Sequence, residues 1–431
     1  MSDSPVSATI FAYQVGFGDC FLLRFNYPAA KRHVLIDFGT TGLPETVASD
    51  QMLTIAKDIA EKCGGTLDAV VATHRHADHI SGFATKAGGA GSGDVIRALK
   101  PKVVIQPWTE DPALAVDATG PAAQAESPAA RKFAAVRALA HMHTISGQIV
   151  QMLDRPTNSL SKRVAAELRF IGEDNLSNLS AVKNLATMGK KAVYTYSGST
   201  AGLASILPGV TTHVLGPPTL RQTDTVSRQR ARDPDEFWQL QMRRLTDEAS
   251  IAVNATPLFP GAVIAKGGKL PLVARWIAYR LREASSDQAL GLVRALDKQM
   301  NNTSLILLFE TKTKKLLFPG DAQIENWQYA LSKPDFTKLL ADIDVYKVGH
   351  HGSLNATPKT MWNLFRKKGG ANTKDRLKSV MSTKPGKHGS ISARTEVPRS
   401  TLLAELKAHS ELHSTDTLEP GVLYEEIQIE F

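Results

Sequence analysis

Alternating apolar and polar positions near the start of the chain predict strands, and a helix follows them. Three short runs, rich in β-branched and aromatic residues and separated by turns, lie at residues 8–14, 20–25 and 33–38. Residues 50–63 carry apolar side chains at helical spacing and are followed by Gly64-Gly65, which ends the predicted helix. A further apolar strand is predicted at residues 68–72. This order is typical of a fold that mixes helices and strands.

More strands and helices are predicted along the rest of the chain. The strands are at residues 102–105, 192–196, 212–215, 305–309, 315–318, 344–348, the first part of 380–389, and 422–431. The helices are at residues 128–153, 272–284, 287–300 and 398–406. Residues 219–300 interrupt the strands with a charged stretch, a Pro/Gly-containing stretch and two of these helices. We therefore predict a helical insertion at 219–300 within one domain that spans residues 1–431.

A cluster of metal-ligand side chains follows the strand predicted at residues 68–72. His74, His76, Asp78 and His79 place three imidazoles and a carboxylate in six consecutive positions. Imidazole nitrogens and carboxylate oxygens are ligands that Zn²⁺ and Mn²⁺ accept, and a loop at a strand end can turn them toward one point. Only 12 histidines occur in 431 residues, so an ordinary solvated turn does not account for this spacing. The cluster predicts a metal site at a strand end.

This His-rich loop resembles the signature of the metallo-β-lactamase superfamily of metal-dependent hydrolases, and other motifs extend the resemblance. They are Val-Gly-Phe-Gly-Asp-Cys at residues 15–20, Leu-Ile-Asp-Phe-Gly at 35–39, Asn-Thr-Ser-Leu at 302–305, Phe-Pro-Gly-Asp at 318–321 and Val-Tyr-Lys-Val-Gly-His-His-Gly-Ser at 345–353. The His-His-Gly-Ser form and the motifs at 15–20 and 302–305 are similar to the ComEC-like hydrolase branch. The resemblance implies an α+β fold, the αββα sandwich, with residues 219–300 as a cap beside the active site.

The resemblance also implies roles for the ligand residues. His74 and His76 would bind a first divalent metal ion, and Asp78 and His79 would help bind a second. Asp78 would in addition orient the attacking water. The remaining implied ligands are Asp321, which would bridge both ions, and a histidine after the strand at 344–348, for which His350 is the first choice and His351 the alternative.

Three further assignments concern the neighbours of those ligands. His351 is placed to contact substrate or a ligand, because adjacent residues on an extended chain point to opposite sides. Asp37 is expected to orient a ligand imidazole through its free ring N–H, or alternatively to accept bonds from backbone amides in a turn. Asn302 occupies the slot of a further family histidine for the first metal, so weak binding of that ion, or a preference for Mn²⁺ over Zn²⁺, is expected. The alternatives for that slot are His141 and His143, whereas His213 is expected to be a packed or surface residue.

A loop near the C-terminus supplies candidates for substrate binding. The branch resemblance returns residues 380–389 toward the metal centre, where Ser382, Lys384, Lys387 and His388 could hold an anionic substrate or protonate a leaving group. An ordinary Gly/Lys surface loop is the equal alternative.

Composition and charge narrow the class of protein. A hydrophobic content of 42% and a charged content of 22% are ordinary for a globular protein with a sizeable core. No apolar stretch is long enough for a bilayer-spanning helix, no secretory signal is visible, and two cysteines exclude a disulfide framework, so we expect a cytoplasmic protein with buried thiols at Cys20 and Cys63. The formal charge of +9 and basic clusters at 228–232, 243–244, 312–315 and 366–368 favour an anionic partner such as nucleic acid, although each cluster alone is equally a solvated face.

These features together favour a metal-dependent hydrolase that acts on phosphodiesters, as a nuclease or phosphodiesterase. An esterase, lactonase or amidase acting on a small molecule is the alternative enzyme, because the fold does not settle the substrate. A binding or regulatory protein with a degraded metal site is the alternative from another class.

Overall fold

The computed structural model describes residues 4–111, 120–121, 179–219, 221–223, 301–353, 356–389 and 396–431. The helices predicted at 128–153, 272–284 and 287–300 lie outside the described residues, and so does the predicted insertion 219–300 apart from residues 219 and 221–223. The single-domain organisation stays a prediction.

Thirteen strands form in the described part of the chain. They are β1 (Ser7–Tyr13), β2 (Cys20–Asn26), β3 (Lys31–Phe38), β4 (Ala69–Val71), β5 (Val103–Pro107), β6 (Lys191–Thr195), β7 (Thr211–Gly216), β8 (Ile306–Glu310), β9 (Lys315–Phe318), β10 (Val345–Lys347), β11 (Lys378–Met381), β12 (Glu411–Ser414) and β13 (Tyr424–Glu430). The helices are α1 (Gln51–Lys62), α2 (Ala77–Ile80), α3 (Ser92–Ala98), α4 (Leu179–Met188), α5 (Ile324–Leu331), α6 (Pro334–Ala341), α7 (Lys359–Leu364) and α8 (Ser400–His409).

The strands form two mixed sheets. One has the order β13-β1-β2-β3-β4-β5-β6, antiparallel from β13 to β3 and parallel from β3 to β6. The other has the order β12-β11-β10-β9-β8-β7, with antiparallel pairing among β7, β8 and β9 and parallel pairing from β9 to β12.

Apolar side chains of the two sheets meet face to face and form the central core. Phe21 and Phe318, from different sheets, place their ring centroids 6.0 Å apart, and Phe25 and Phe309 do the same. The opposite face of the first sheet packs against α1, α3 and α4, and that of the second against α5, α6, α7 and α8. Each sheet buries one face on the other sheet and the opposite face on helices, so the sequences of most strands are nearly continuous apolar runs. The predicted α+β fold is confirmed as a mixed fold of two sheets flanked by helices.

The strands predicted in the described part of the chain are all confirmed, as are α1, α8 and the β8–β9 hairpin. The strand β12 and the helices α2, α3, α4, α5, α6 and α7 were not predicted.

The ends of the parallel strands position the candidate site. Asp37 lies near the end of β3, Thr73 follows β4, Asp321 follows β9, and His350 and His351 follow β10. β3 is parallel to β4 in the first sheet and β9 is parallel to β10 in the second, so the residues of each pair lie at the carboxyl edge of their own sheet, where α/β sheets commonly bind ligands. The two edges meet, because His79 Nε2 lies 3.1 Å from Asp321 Oδ2.

Candidate metal centre

Two carboxylates and two imidazoles converge at this edge. One potential ligand atom each from Asp78, His79, Asp321 and His351 lies within 4.8 Å of the others. His79 Nε2 is 3.1 Å from Asp321 Oδ2, and His351 Nε2 is 2.9 Å from Asp78 Oδ2. The side chains of His79 and His351 are fully buried, and that of Asp78 is 13% exposed. Neutral imidazole and carboxylate ligands of this kind fit a borderline-hard divalent ion.

Hydrogen bonds fix which ring nitrogens of the two imidazoles face the acidic pair. His79 Nδ1 donates to Asp37 Oδ2 at 2.8 Å, and His351 Nδ1 donates to the Ser382 carbonyl at 3.0 Å. A carbonyl oxygen only accepts, so Nδ1 carries the proton in His351, and an ionised Asp37 requires the same of His79. Each Nε2 therefore turns toward the carboxylates with its lone pair available when the ring is neutral, as metal ligation needs.

Asp37 anchors the strand end as well as the imidazole. Its carboxylate accepts from the Thr73 backbone N–H at 2.7 Å and from Thr73 Oγ1 at 2.7 Å, in addition to His79. Asp37 adopts a left-handed backbone with φ 55°. Burial raises the pKa of Asp37, and the adjacent His79 partly offsets that rise. Asp37 thus makes both predicted contacts, one with the Thr73 backbone amide and one with the His79 imidazole. Its role toward a metal stays a prediction.

His74 and His76 lie beside this group. His74 Nε2 and His76 Nδ1 are 2.9 Å apart, and the His74 ring centroid is 4.2 Å from that of His79. Burial, together with the neighbouring His79 and His76, holds the pKa of His74 well below its usual value. His74 is therefore neutral at pH 7, the form that binds metal.

The electrostatics of the cluster favour added positive charge. Burial alone would lower the pKa of His79, but Asp321, Asp78, Asp37 and Asp19 raise it well above its usual value. Burial alone would raise the pKa of Asp78, yet His79 and His351 hold it well below its usual range. The carboxylates thus stay ionised and attract a cation.

The two histidines after β10 differ in their surroundings. His351 is buried in the cluster, whereas the His350 side chain is 28% exposed and its Nε2 is 3.9 Å from Asp321 Oδ2. Both residues adopt left-handed backbone conformations in a 3₁₀ turn, with φ 46° and 52°, so the expectation of an extended chain at this point is wrong. The geometry favours the alternative in which His351 joins the ligand group, and His350 instead donates its backbone N–H to Asp321 Oδ1 at 3.0 Å.

A buried ion pair beside the cluster was missed in the sequence. Lys347, the last residue of β10, is 2% exposed and pairs with the fully buried Asp19. The Lys347 ammonium is also 3.6 Å from Asp321 Oδ1. The sequence carried two signals of this ion pair, the lysine inside the apolar run 345–348 and the aspartate of the motif at 15–20.

Asn302 does not contact the four-residue cluster through any hydrogen bond of the described residues. Its amide nitrogen donates to Glu325 at 2.9 Å, while its buried Oδ1 has no hydrogen-bond partner in the described parts of the chain. Its metal role stays a prediction. His213 is bonded to Glu310 at 2.8 Å on β7, as expected for a residue outside the site, and His141 and His143 lie outside the described residues.

Residues of the 382–389 loop lie around the cluster. The Phe17 ring packs between His351 and His388, with centroid distances of 4.3 and 4.4 Å. Burial lowers the pKa of His388 to about 4, so its imidazole is neutral at pH 7 and suits hydrogen bonding better than leaving-group protonation. The Lys384 ammonium donates to the Leu43 carbonyl at 2.8 Å, which ties this loop to the segment after β3.

Comparison with known proteins supports this interpretation of the fold. Residues 13–86 match the family model described as Metallo-beta-lactamase superfamily. The matched segment carries Asp37 and the His-rich loop, and the superfamily implies a metal-dependent hydrolase. No curated protein matches the chain. Membership of the ComEC-like branch stays a prediction.

Among the described residues, no helix combines the length and the apolar character needed to cross a bilayer. The cytoplasmic location stays a prediction, and so does the set of partners. Cys20 and Cys63 are both free and buried, as expected.

Proposed function

We propose that this chain is a metal-dependent hydrolase that cleaves phosphodiesters with a pair of divalent ions at the candidate metal centre. The observation that carries the proposal is the convergence of Asp78, His79, Asp321 and His351, with both imidazole Nε2 atoms turned toward the two carboxylates. Divalent ions, when bound, lower the pKa of water toward neutrality and stabilise charge that develops on the attacking and leaving oxygens.

The buried charges support two ions rather than one. Four carboxylates, those of Asp19, Asp37, Asp78 and Asp321, lie around the imidazoles with a single ammonium, that of Lys347. The formal sum is −4 plus +1, or −3, which exceeds the charge of one divalent ion. His74 and His76 supply a second set of imidazole nitrogens next to the first. Zn²⁺ suits these nitrogen-rich ligands, and Mn²⁺ is the alternative.

The chain's own residues hold and shape this centre. Asp37 and the Ser382 carbonyl keep the protons of His79 and His351 on Nδ1 and leave Nε2 toward the metals. The Phe17 ring packs against the His351 ring, with centroids 4.3 Å apart. His350, at 28% exposure, is positioned to contact an anionic oxygen of the substrate.

Phosphodiesters are the favoured substrates because of charge. The chain carries 51 lysines and arginines against 42 acidic residues, and a positive surface attracts a polyanion. Lys384 and Lys387 follow Ser382, whose carbonyl accepts a hydrogen bond from His351, so a loop with two lysines borders the centre.

The test combines metal analysis with a substrate panel. The purified chain is loaded with Zn²⁺ or Mn²⁺, its metal content is measured by mass spectrometry, and hydrolysis is followed with bis(p-nitrophenyl) phosphate, p-nitrophenyl acetate, DNA and RNA. We expect bound metal and cleavage of the phosphodiester, with a loss of at least 100-fold in kcat/KM for Asp78→Ala and Asp321→Asn.

His213→Gln is the matched control, because His213 also pairs with a carboxylate but lies on β7 away from the cluster. This variant should retain the wild-type rate. Hydrolysis of p-nitrophenyl acetate alone would contradict phosphodiester cleavage and favour the esterase alternative. Failure to bind either metal would overturn both enzyme functions and favour the binding protein.

A further inference from the structure

A second group of potential metal ligands lies directly behind the first. Asp19, Asp37 and His79 each place a ligand atom within 4.8 Å of the others, and all three residues are buried. His79 Nδ1 is 2.8 Å from Asp37 Oδ2 and 3.6 Å from Asp19 Oδ2. Because His79 Nδ1 carries a proton toward Asp37, the two carboxylates are the members of this group that could hold a cation.

Lys347 places a positive charge against this second group. Its ammonium pairs with Asp19 Oδ2, the same oxygen that faces His79, and lies 3.3 Å from the Gly320 carbonyl. The Lys347 side chain is 3% exposed and that of Asp19 is 0% exposed. Burying an ammonium is strongly unfavourable unless it is paired and hydrogen-bonded, so Lys347 depends on Asp19 as much as Asp19 depends on it.

The same ammonium also lies near a carboxylate of the first group. Asp321 lies between them, and its two oxygens have different neighbours. Oδ1 is 3.6 Å from the Lys347 ammonium and accepts the His350 backbone N–H, whereas Oδ2 is 3.1 Å from His79 Nε2 and 3.8 Å from His351 Nε2. Lys347 therefore occupies the position from which a cation could contact both Asp19 and Asp321 Oδ1.

We propose that the Lys347 ammonium is the resident cation of the Asp19–Asp37–His79 group and excludes a divalent ion from it. Metal binding is thereby confined to the side of the centre formed by Asp78, His79, Asp321 and His351, with His74 and His76 beside them. The inference rests on the proposed metal centre for its significance, but it concerns the carboxylates of Asp19 and Asp37, which are not among the four converging ligands, and it can be measured separately.

The experiment counts ions per chain. Wild type, Lys347→Met and Lys347→Gln are stripped with chelator, equilibrated with Mn²⁺, desalted and analysed for metal, and their dissociation constants are measured by isothermal titration. Methionine keeps an unbranched side chain of similar length without the charge, and glutamine can still donate a hydrogen bond to Asp19. Both variants should bind one more Mn²⁺ per chain than wild type. Anomalous scattering should place the additional ion among Asp19, Asp37 and His79.

Two further variants define the cause. The double variant Asp19→Asn/Lys347→Met removes both charges and should return to the wild-type number of ions. Lys102→Met, which breaks a Lys–Asp pair before β5 at the opposite strand ends, should not change it. Melting temperatures with and without Mn²⁺ verify that each variant is folded.

The outcomes separate this inference from the proposed function. Folded Lys347→Met and Lys347→Gln that bind the wild-type number of ions would overturn the role of Lys347. A wild-type chain that binds no metal would overturn the proposed function, while a gain of one ion in the variants would still support the exclusion by Lys347.

Discussion

The substitution Asp37→Asn gives the sharpest test of how the centre is held together. Asp37 accepts three hydrogen bonds, from the Thr73 N–H, Thr73 Oγ1 and His79 Nδ1. An asparagine keeps one oxygen for the Thr73 N–H but presents an NH₂ group on its other side. If that NH₂ faces His79 Nδ1, two donors oppose each other, and His79 must move its proton to Nε2. A protonated Nε2 cannot bind a metal.

The magnitude follows from these contacts. Loss of an orienting partner of a metal-bound imidazole typically weakens metal affinity by about 10–100-fold. At about 1.4 kcal/mol for each factor of ten, this corresponds to about 1.4–2.8 kcal/mol of metal-binding free energy. Replacing a charged acceptor in a buried set of three bonds should also lower the free energy of unfolding by about 1–3 kcal/mol.

The assay is titration of the chelator-stripped protein with Zn²⁺ in competition with a chromophoric chelator, together with urea unfolding of the metal-free protein. Asp68→Asn is the matched control, because Asp68 is a buried carboxylate that accepts the His33 backbone N–H at 2.9 Å but precedes β4 at the opposite strand end. It should lower stability and leave metal affinity unchanged. A folded Asp37→Asn protein with wild-type Zn²⁺ affinity, or an equal loss of affinity in Asp68→Asn, would refute the reasoning.

Three further predictions concern other parts of the molecule. His351→Ala should weaken metal binding at least tenfold, whereas His350→Ala should keep its metal and lose turnover. Metal analysis and steady-state kinetics measure both effects, and the opposite assignment of the two effects would contradict the prediction. Glu110→Ala removes the carboxylate partner of the mostly buried Arg75, whose Nε lies 3.0 and 2.8 Å from the two Glu110 oxygens. The free energy of unfolding measured in urea should fall by about 3 kcal/mol. Unchanged stability would show that the pair does not hold the ligand loop. Burial lowers the pKa of His33 to about 4, so between pH 6.5 and 4 the unfolded chain binds more protons than the folded chain. The free energy of unfolding should therefore fall by about 3 kcal/mol as the pH is lowered through this range. His33→Gln should reduce this fall, and an equal pH dependence in both proteins would contradict the prediction.

The strand pattern could be predicted because most strands are buried and apolar. β2, β3 and β8 carry continuous runs of Phe, Leu, Ile and Val, and turn residues bound them. β12 was missed because Glu411, Leu412, His413 and Ser414 carry no apolar alternation, and their extended form depends on parallel pairing with β11. The helices α5 and α6 are short, and their buried Trp327 and Leu340 became recognisable as core residues only through packing on the second sheet.

The candidate site was predictable where its residues are close in sequence. His74, His76, Asp78 and His79 follow one strand and carry their chemistry in their spacing. The choice between His350 and His351 was not predictable, because it depends on a left-handed turn that replaces the expected extended chain. The partnership of Lys347 with Asp19 joins positions far apart in the chain and requires the two sheets to be in contact.

The separation of the ligands along the chain has a consequence for synthesis. Asp78 and His351 lie 273 positions apart yet meet at 2.9 Å. At about 5–20 residues per second, the ribosome exposes the His-rich loop roughly 14–55 seconds before it delivers His351. During that interval the nascent chain displays three imidazoles and a carboxylate without the carboxylate of Asp321. We therefore expect metal to be acquired after translation, once the C-terminal strands have docked, so that the order of synthesis itself delays loading until the complete ligand set exists.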